Sequence, residues 1–108
     1  MQTTFLCSLV SFASGYYEKY QVTISIDGDA WSLAEGVRET TFTKGARITA
    51  DKILLTYQHP QHTFIAFTYA IDRNSLAIEQ LETHRGTTVG VRSSGACQLV
   101  PFTPLKKQ

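Results

Sequence analysis

The sequence has few of the features that mark membrane, nucleic-acid-binding or nucleotide-binding proteins. No apolar run approaches the ~20 residues that a membrane-spanning helix needs. Ten Lys and Arg residues nearly balance nine Asp and Glu residues, for a net charge of +1, so no extended field of one sign attracts a nucleic-acid backbone. The chain also contains no G-x-G-x-x-G or Walker motif. We therefore expect no nucleic-acid partner, no membrane insertion and no nucleotide cofactor.

Residues of the kind that carry catalysis or bind metals are scarce and scattered. The three histidines are His59, His62 and His84, all in polar segments typical of loops between strands. Asp27 and Asp29 resemble the start of a calcium-binding loop, but the following residues lack the later oxygen ligands, and a hairpin turn explains them better. The sequence predicts no metal site, no cofactor and no catalytic set, and therefore a protein that is not an enzyme.

The residues that are abundant indicate strands. Runs of Val, Ile, Thr, Tyr and Phe alternate with polar residues and are interrupted by Gly, Asp, Asn or Pro every eight to twelve residues. The expected strand segments, which the sequence leaves free to merge with one another, are 3–13, 19–27, 30–35, 38–43, 46–49, 52–58, 62–72, 75–82, 87–92 and 96–102. At 108 residues the chain forms one core. We expect an all-β fold, a single antiparallel β-barrel or strongly curled β-sandwich of about eight to ten strands, over residues 1–102, with a polar tail at 103–108.

The first fifteen residues could be read as a secretory signal or as the first strand. Residues 1–18 contain no Lys or Arg, whereas a signal peptide begins with a positively charged region. With a period of two, Phe5, Cys7 and Leu9 share one face, as in an extended strand. We therefore expect this stretch to belong to the fold, with any export signal upstream of Met1.

The chain has two cysteines, Cys7 in the first expected strand and Cys97 in the last. If an antiparallel meander closes, its first and last strands are neighbours, and the two sulfur atoms can then come within bonding range. The alternative is two buried thiols that serve as small apolar residues, which is usual in a reducing compartment. The sequence favours the disulfide.

These elements resemble small exported bacterial β-barrel proteins, among them the lysozyme-inhibitor group. The resemblance is carried by Phe5-Leu-Cys7, Gly95-Ala-Cys97-Gln-Leu-Val100 and the turn from Tyr69 to Arg73. It implies a periplasmic or secreted location and a binding or inhibitory role, and it transfers no functional residue to this chain.

Aromatic side chains are the remaining candidates for a binding surface. Tyr16 and Tyr17 are predicted to lie in a loop next to Glu18, and together with Trp31 they are the candidate binding residues. We expect a non-enzymatic exported module that binds a protein partner or a small apolar ligand. The alternatives are a ligand-carrying barrel with an enclosed cavity, or a cytosolic interaction protein of viral or mobile-element origin with reduced cysteines and an exposed strand edge.

Overall fold

The computed structural model describes residues 1–12 and 17–105. Within them the chain forms nine β-strands and no helix, which confirms the all-β prediction. In chain order the strands are β1 (Gln2–Ser11), β2 (Glu18–Asp27), β3 (Ala30–Glu35), β4 (Arg38–Phe42), β5 (Ala46–Ile48), β6 (Lys52–Gln58), β7 (Ile65–Asp72), β8 (Ala77–His84) and β9 (Thr87–Val100). In the part of the chain that the structure describes, no helix is long and apolar enough to cross a membrane.

Two of the expected segments merge in the final strand. The segments 87–92 and 96–102 both belong to the single strand β9. In the structure Ser93, Ser94 and Gly95 pair with β1 on one side and with β8 on the other. Two long neighbours thus hold a segment of low strand propensity in an extended conformation.

All nine strands form one sheet in the order β4-β3-β2-β1-β9-β8-β7-β6-β5. Every hydrogen-bonded pair is antiparallel, so β4 and β5 at the two ends of this order run in the same direction. They are also consecutive along the chain, joined only by residues 43–45. Such a short connection requires the sheet to curl until its two edges meet, which gives a barrel-like shell.

The connection at 43–45 contacts both edges of the sheet. Trp31 on β3 donates its indole N–H to the carbonyl of Lys44 at 3.2 Å, and the amide of Thr56 on β6 donates to the carbonyl of Gly45 at 3.0 Å. The segment from β4 to β5 therefore acts as one bent strand, whose first part pairs with β3 and whose second part pairs with β6. We call this connection the seam.

Alternation along the strands places one set of apolar residues inside the shell. Phe5, Cys7 and Leu9 of β1 are all buried, so the opening stretch of the chain is part of the core, as expected. The buried cluster is completed by residues of five further strands: Val22, Ile24, Ile26, Trp31, Ile53, Leu55, Tyr69, Ile71 and Ile78.

The segment after β9 folds back over the outside of the sheet. Thr4 on β1 and Ser25 on β2 face outward but are buried, and their hydroxyl groups hydrogen-bond each other at 2.8 Å. The amide of Thr103 donates to the Thr4 hydroxyl at 2.8 Å, so the segment lies over these two side chains. Residues 106–108 of the predicted tail lie outside the described residues.

Candidate functional site

The structure separates the three aromatic residues that the sequence singled out. Tyr16 lies outside the described residues. Tyr17 directly precedes β2 and is 80% exposed, with its ring edge-on to that of Phe12 at 5.8 Å between centroids. Trp31 is fully buried and stacks on Phe42 at 4.3 Å between centroids. Trp31 therefore packs the core beside the seam and does not contact solvent, whereas Tyr17 offers an exposed ring at one end of the shell.

The two cysteines are joined by a disulfide between β1 and β9. They face each other directly in the register of these strands, which confirms both the predicted bond and the predicted adjacency of the first and last strands. The bond lies in the middle of the sheet, because the free edges belong to β4 and β5 instead.

At one end of the shell the inward-facing side chains change from aliphatic to polar. The change occurs along several strands at once: β2 passes from Ile26, Ile24 and Val22 to Tyr20 and Glu18; β3 from Trp31 and Leu33 to Glu35; β6 from Ile53 and Leu55 to Tyr57; and β8 from Ile78 to Gln80 and Glu82. This end also carries Phe12 and Tyr17, which adjoin β1 and β2.

The polar end surrounds an open pocket of about 440 Å³, a size within the range of small-ligand sites. We call it the tyrosine pocket. Its walls are Ser11, Glu18, Tyr20, Leu33, Glu35, Tyr57, His59, Phe67, Tyr69, Gln80, Arg92 and Ser93.

Four pocket side chains form a directed chain of hydrogen bonds. Tyr20 donates to the Ser93 hydroxyl at 2.8 Å, Ser93 donates to Gln80 Oε1 at 3.3 Å, and Gln80 Nε2 donates to the Tyr57 hydroxyl at 3.0 Å. Because every bond in the chain has the same direction, the Tyr57 oxygen accepts from Gln80 at the end of the chain, next to the Tyr69 hydroxyl with which Tyr57 also interacts.

Two of the pocket tyrosines are buried hydroxyls. Loss of hydration raises the pKa of Tyr57 and of Tyr69 above the usual value for tyrosine. Both hydroxyls, which are neutral at physiological pH even at the usual value, therefore remain neutral further into the alkaline range. Their rings, 6.2 Å apart between centroids, give this part of the pocket an uncharged aromatic wall.

Arg92 is held in place by a charged cluster beside the pocket. Its guanidinium donates to Glu82 Oε1 at 2.8 Å and lies 5.2 Å from the centroid of the Phe67 ring. The other oxygen of Glu82 accepts from His84 Nε2. These hydrogen bonds, from His84 and then from Arg92, lower the pKa of Glu82 below its usual range.

An irregularity in β9 places Arg92 in the pocket. The register between β8 and β9 shifts at two positions, so that Gln80 pairs with Ser93 but Leu81 pairs with Val91. Arg92 is the extra residue of this β-bulge. A bulge turns two successive side chains toward the same side of a strand, which explains why Arg92 and the buried Ser93 both line the pocket.

Sequence reasoning did not find this pocket, although part of its signal was present. Gln80 and Ser93 are buried polar residues at inward-facing positions of β8 and β9, and such positions can be identified from the alternation along a single strand. The convergence of β2, β6, β8 and β9 at one end of the shell depends on the sheet order, and the bulge at Arg92 depends on the pairing register; neither follows from local patterns.

The residues considered for metal binding or catalysis have other contacts. His59 Nδ1 accepts the backbone amides of Gln61 and His62 at 3.1 and 3.2 Å, which organises the loop after β6. Asp27 closes the two-residue turn between β2 and β3, opposite Ala30. Among residues 1–12 and 17–105 there is no cluster of three His, Cys, Asp or Glu side chains that could bind a metal ion.

The comparisons with known proteins give no match to this sequence, either among protein-family models or among curated proteins.

Proposed function

We propose that this protein is a non-enzymatic binding or inhibitory module that docks a partner protein at the open end of its shell. The observation that carries the proposal is the tyrosine pocket, an open pocket where the inward-facing side chains of β2, β3, β6 and β8 change from apolar to polar. Sites that recognise a specific group combine apolar walls with a few well-placed polar side chains.

The surroundings of the pocket favour a protein partner. Phe12 and Tyr17 are exposed and adjoin the pocket residues Ser11 and Glu18 in sequence. Exposed aromatic rings are enriched where proteins bind one another. A partner that covers these rings brings one of its side chains to the mouth of the pocket.

The hydrogen bonds of the Ser93 hydroxyl support a binding role over catalysis. A catalytic serine needs a base within hydrogen-bond reach, whereas Ser93 bonds to Tyr20 and Gln80. His59 directs its Nδ1 to backbone amides, and His84 bonds to Glu82. These arrangements order a pocket without activating a nucleophile.

The disulfide supports an exported location. Structural disulfides form and persist in oxidising compartments such as the periplasm and the extracellular space. We propose that the protein works there. The test is to unfold the protein as isolated from its source in denaturant, with an alkylating reagent and no reductant, because Cys7 is fully buried in the folded state. A mass with no alkyl group added at Cys7 or Cys97 is expected, and two added groups would contradict an oxidising location.

Site-specific photo-crosslinking tests the docking proposal. A photoreactive amino acid at Tyr17 should trap a defined partner in extracts of the source cells, and the same amino acid at Glu79, which is exposed on β8, should trap none. The substitution Leu33→Trp, which fills part of the pocket, should abolish the product at Tyr17 while the thermal unfolding transition remains cooperative. Equal trapping at both sites, or trapping that Leu33→Trp leaves unchanged, would contradict docking at this end.

A further inference from the structure

The charges around the tyrosine pocket do not cancel. Glu18 and Glu35 both line it, and neither forms an ion pair with another residue that the structure describes. The cation in the pocket, Arg92, is already bonded to Glu82. Because Glu82 already pairs with this guanidinium, the walls of the pocket supply no partner cation for Glu18 or Glu35. Arg38 lies opposite Glu35 in the register of β3 and β4, but the two form no ion pair in the part of the chain that the structure describes.

The histidine in the wall is engaged by the backbone. His59 Nδ1 accepts two backbone N–H groups, so this ring nitrogen is not available to pair with Glu18 or Glu35.

The aromatic wall is suited to a cation as well. A cation is attracted to the face of an aromatic ring, and the rings of Tyr57, Phe67 and Tyr69 all belong to the pocket. One such contact is already present in the protein, because the Arg92 guanidinium lies over the ring of Phe67. Hydroxyl oxygens of neutral tyrosines add hydrogen-bond acceptors for N–H donors.

From these observations we infer that the group received by the tyrosine pocket is a cation, the guanidinium or ammonium group of an Arg or Lys side chain. Glu18 and Glu35 supply the charge, and the tyrosine and phenylalanine rings supply the walls. This inference rests on the proposed docking function and specifies the chemistry of the partner at that site.

Three peptides that differ in one side chain test the charge preference. N-acetyl-Gly-Arg-Gly-amide carries the cation, the citrulline peptide is its neutral isostere, and the glutamate peptide carries the opposite charge. In titrations followed by ¹H–¹⁵N NMR, the arginine peptide should shift the amides of Tyr20, Gln80 and Ser93 and bind about three- to tenfold more tightly than the citrulline peptide. Raising the salt concentration should reduce this advantage.

Matched carboxylate variants assign the effect to the pocket. The double variant Glu18→Gln/Glu35→Gln should reduce the arginine preference about threefold or more, whereas Glu79→Gln, on the outer side of β8, should leave it unchanged. If the double variant and Glu79→Gln reduced the arginine preference equally, a local role for Glu18 and Glu35 would be overturned.

The outcomes distinguish this inference from the docking proposal. If the citrulline or glutamate peptide shifts the same amides at equal or higher affinity, the pocket binds ligands but the cation preference is overturned. If none of the three peptides shifts these amides, n-butylguanidinium is the remaining probe: its binding supports the cation preference, and its failure overturns that preference. The docking proposal is decided separately, by the crosslinking at Tyr17.

Discussion

Gly95 allows β1 and β9 to approach each other closely next to the disulfide. A Cβ atom at this position would lie 1.9 Å from the carbonyl oxygen of Ser8 and 2.8 Å from Leu9 Cα. Both contacts are with backbone, which cannot move aside as a flexible side chain can. The strand pair that joins the beginning of the chain to its end therefore depends on the absence of a side chain at Gly95.

We predict that Gly95→Ala lowers the free energy of unfolding by about 1–3 kcal/mol, because the added methyl group overpacks a backbone contact. Gly90→Ala is the matched control on the same strand, since a Cβ there meets nothing within 4 Å. Urea unfolding of the two oxidised variants measures the difference. Equal free energies of unfolding for Gly95→Ala and Gly90→Ala would show that β1 and β9 can move apart to accommodate a side chain at position 95.

Glu82 should make stability depend on pH in the acidic range. Its pKa is lowered in the folded state from the usual value of 4.5, so its contribution is fully present above that value and is lost as the pH falls through the folded-state pKa. We expect the melting temperature to decline less steeply below pH ~5 in Glu82→Gln than in the unsubstituted protein.

Asp72 provides a constant background for that comparison. Hydrogen bonds from the amides of Ser75 and Asn74 lower its pKa too, and it titrates in both proteins. The difference between the two acid profiles therefore reports Glu82. Parallel profiles would contradict a stabilising role for the bonds from His84 and Arg92 to this carboxylate.

The seam is the element that turns a nine-stranded sheet into a shell. Gly45 in the seam has a φ of +103°, in a region that residues with side chains rarely adopt, and a Cβ there would lie 2.3 Å from the Thr56 carbonyl oxygen. Both the conformation and the close contact with β6 favour glycine. The bend between β4 and β5 therefore depends on this residue.

We expect Gly45→Ala to destabilise the protein by more than Gly36→Ala. Gly36 also has a positive φ, of +60°, but a Cβ there meets no atom within 4 Å, so its substitution costs only the conformational penalty of about 1–2 kcal/mol. The excess measured for Gly45→Ala in thermal unfolding reports the contact between the seam and β6. No excess would indicate that the two edges of the sheet are held by other contacts.

The strands themselves could be predicted from the sequence, whereas their arrangement could be predicted only in part. Period-two alternation located β2, β3 and β6 closely, since each has one buried face. That 87–92 and 96–102 form one strand did not follow from local pattern, because Ser93-Ser94-Gly95 has low strand propensity and is held extended by pairing with two neighbours. The tyrosine pocket was missed for the same reason, since its walls come from strands that only the sheet order brings together.

The disulfide links positions 90 residues apart in the chain and so restricts the whole unfolded molecule. In the chain-entropy model a loop of this length contributes about 4–5 kcal/mol, a large part of the net stability of a small domain. Reduction should lower the free energy of unfolding by about that amount in urea titrations. The variant Cys7→Ala/Cys97→Ala should be insensitive to reductant, and a loss below about 1 kcal/mol in the unsubstituted protein would contradict this role.

The strand order also constrains how the molecule can be assembled. β9 follows the other eight described strands in chain order, yet it lies at the centre of the sheet, with β1 to β4 on one side and β5 to β8 on the other. Before β9 inserts between them, β1 and β8 each present an unpaired edge, and such edges invite aggregation. We therefore expect the insertion of β9 to be the folding step that removes both aggregation-prone edges.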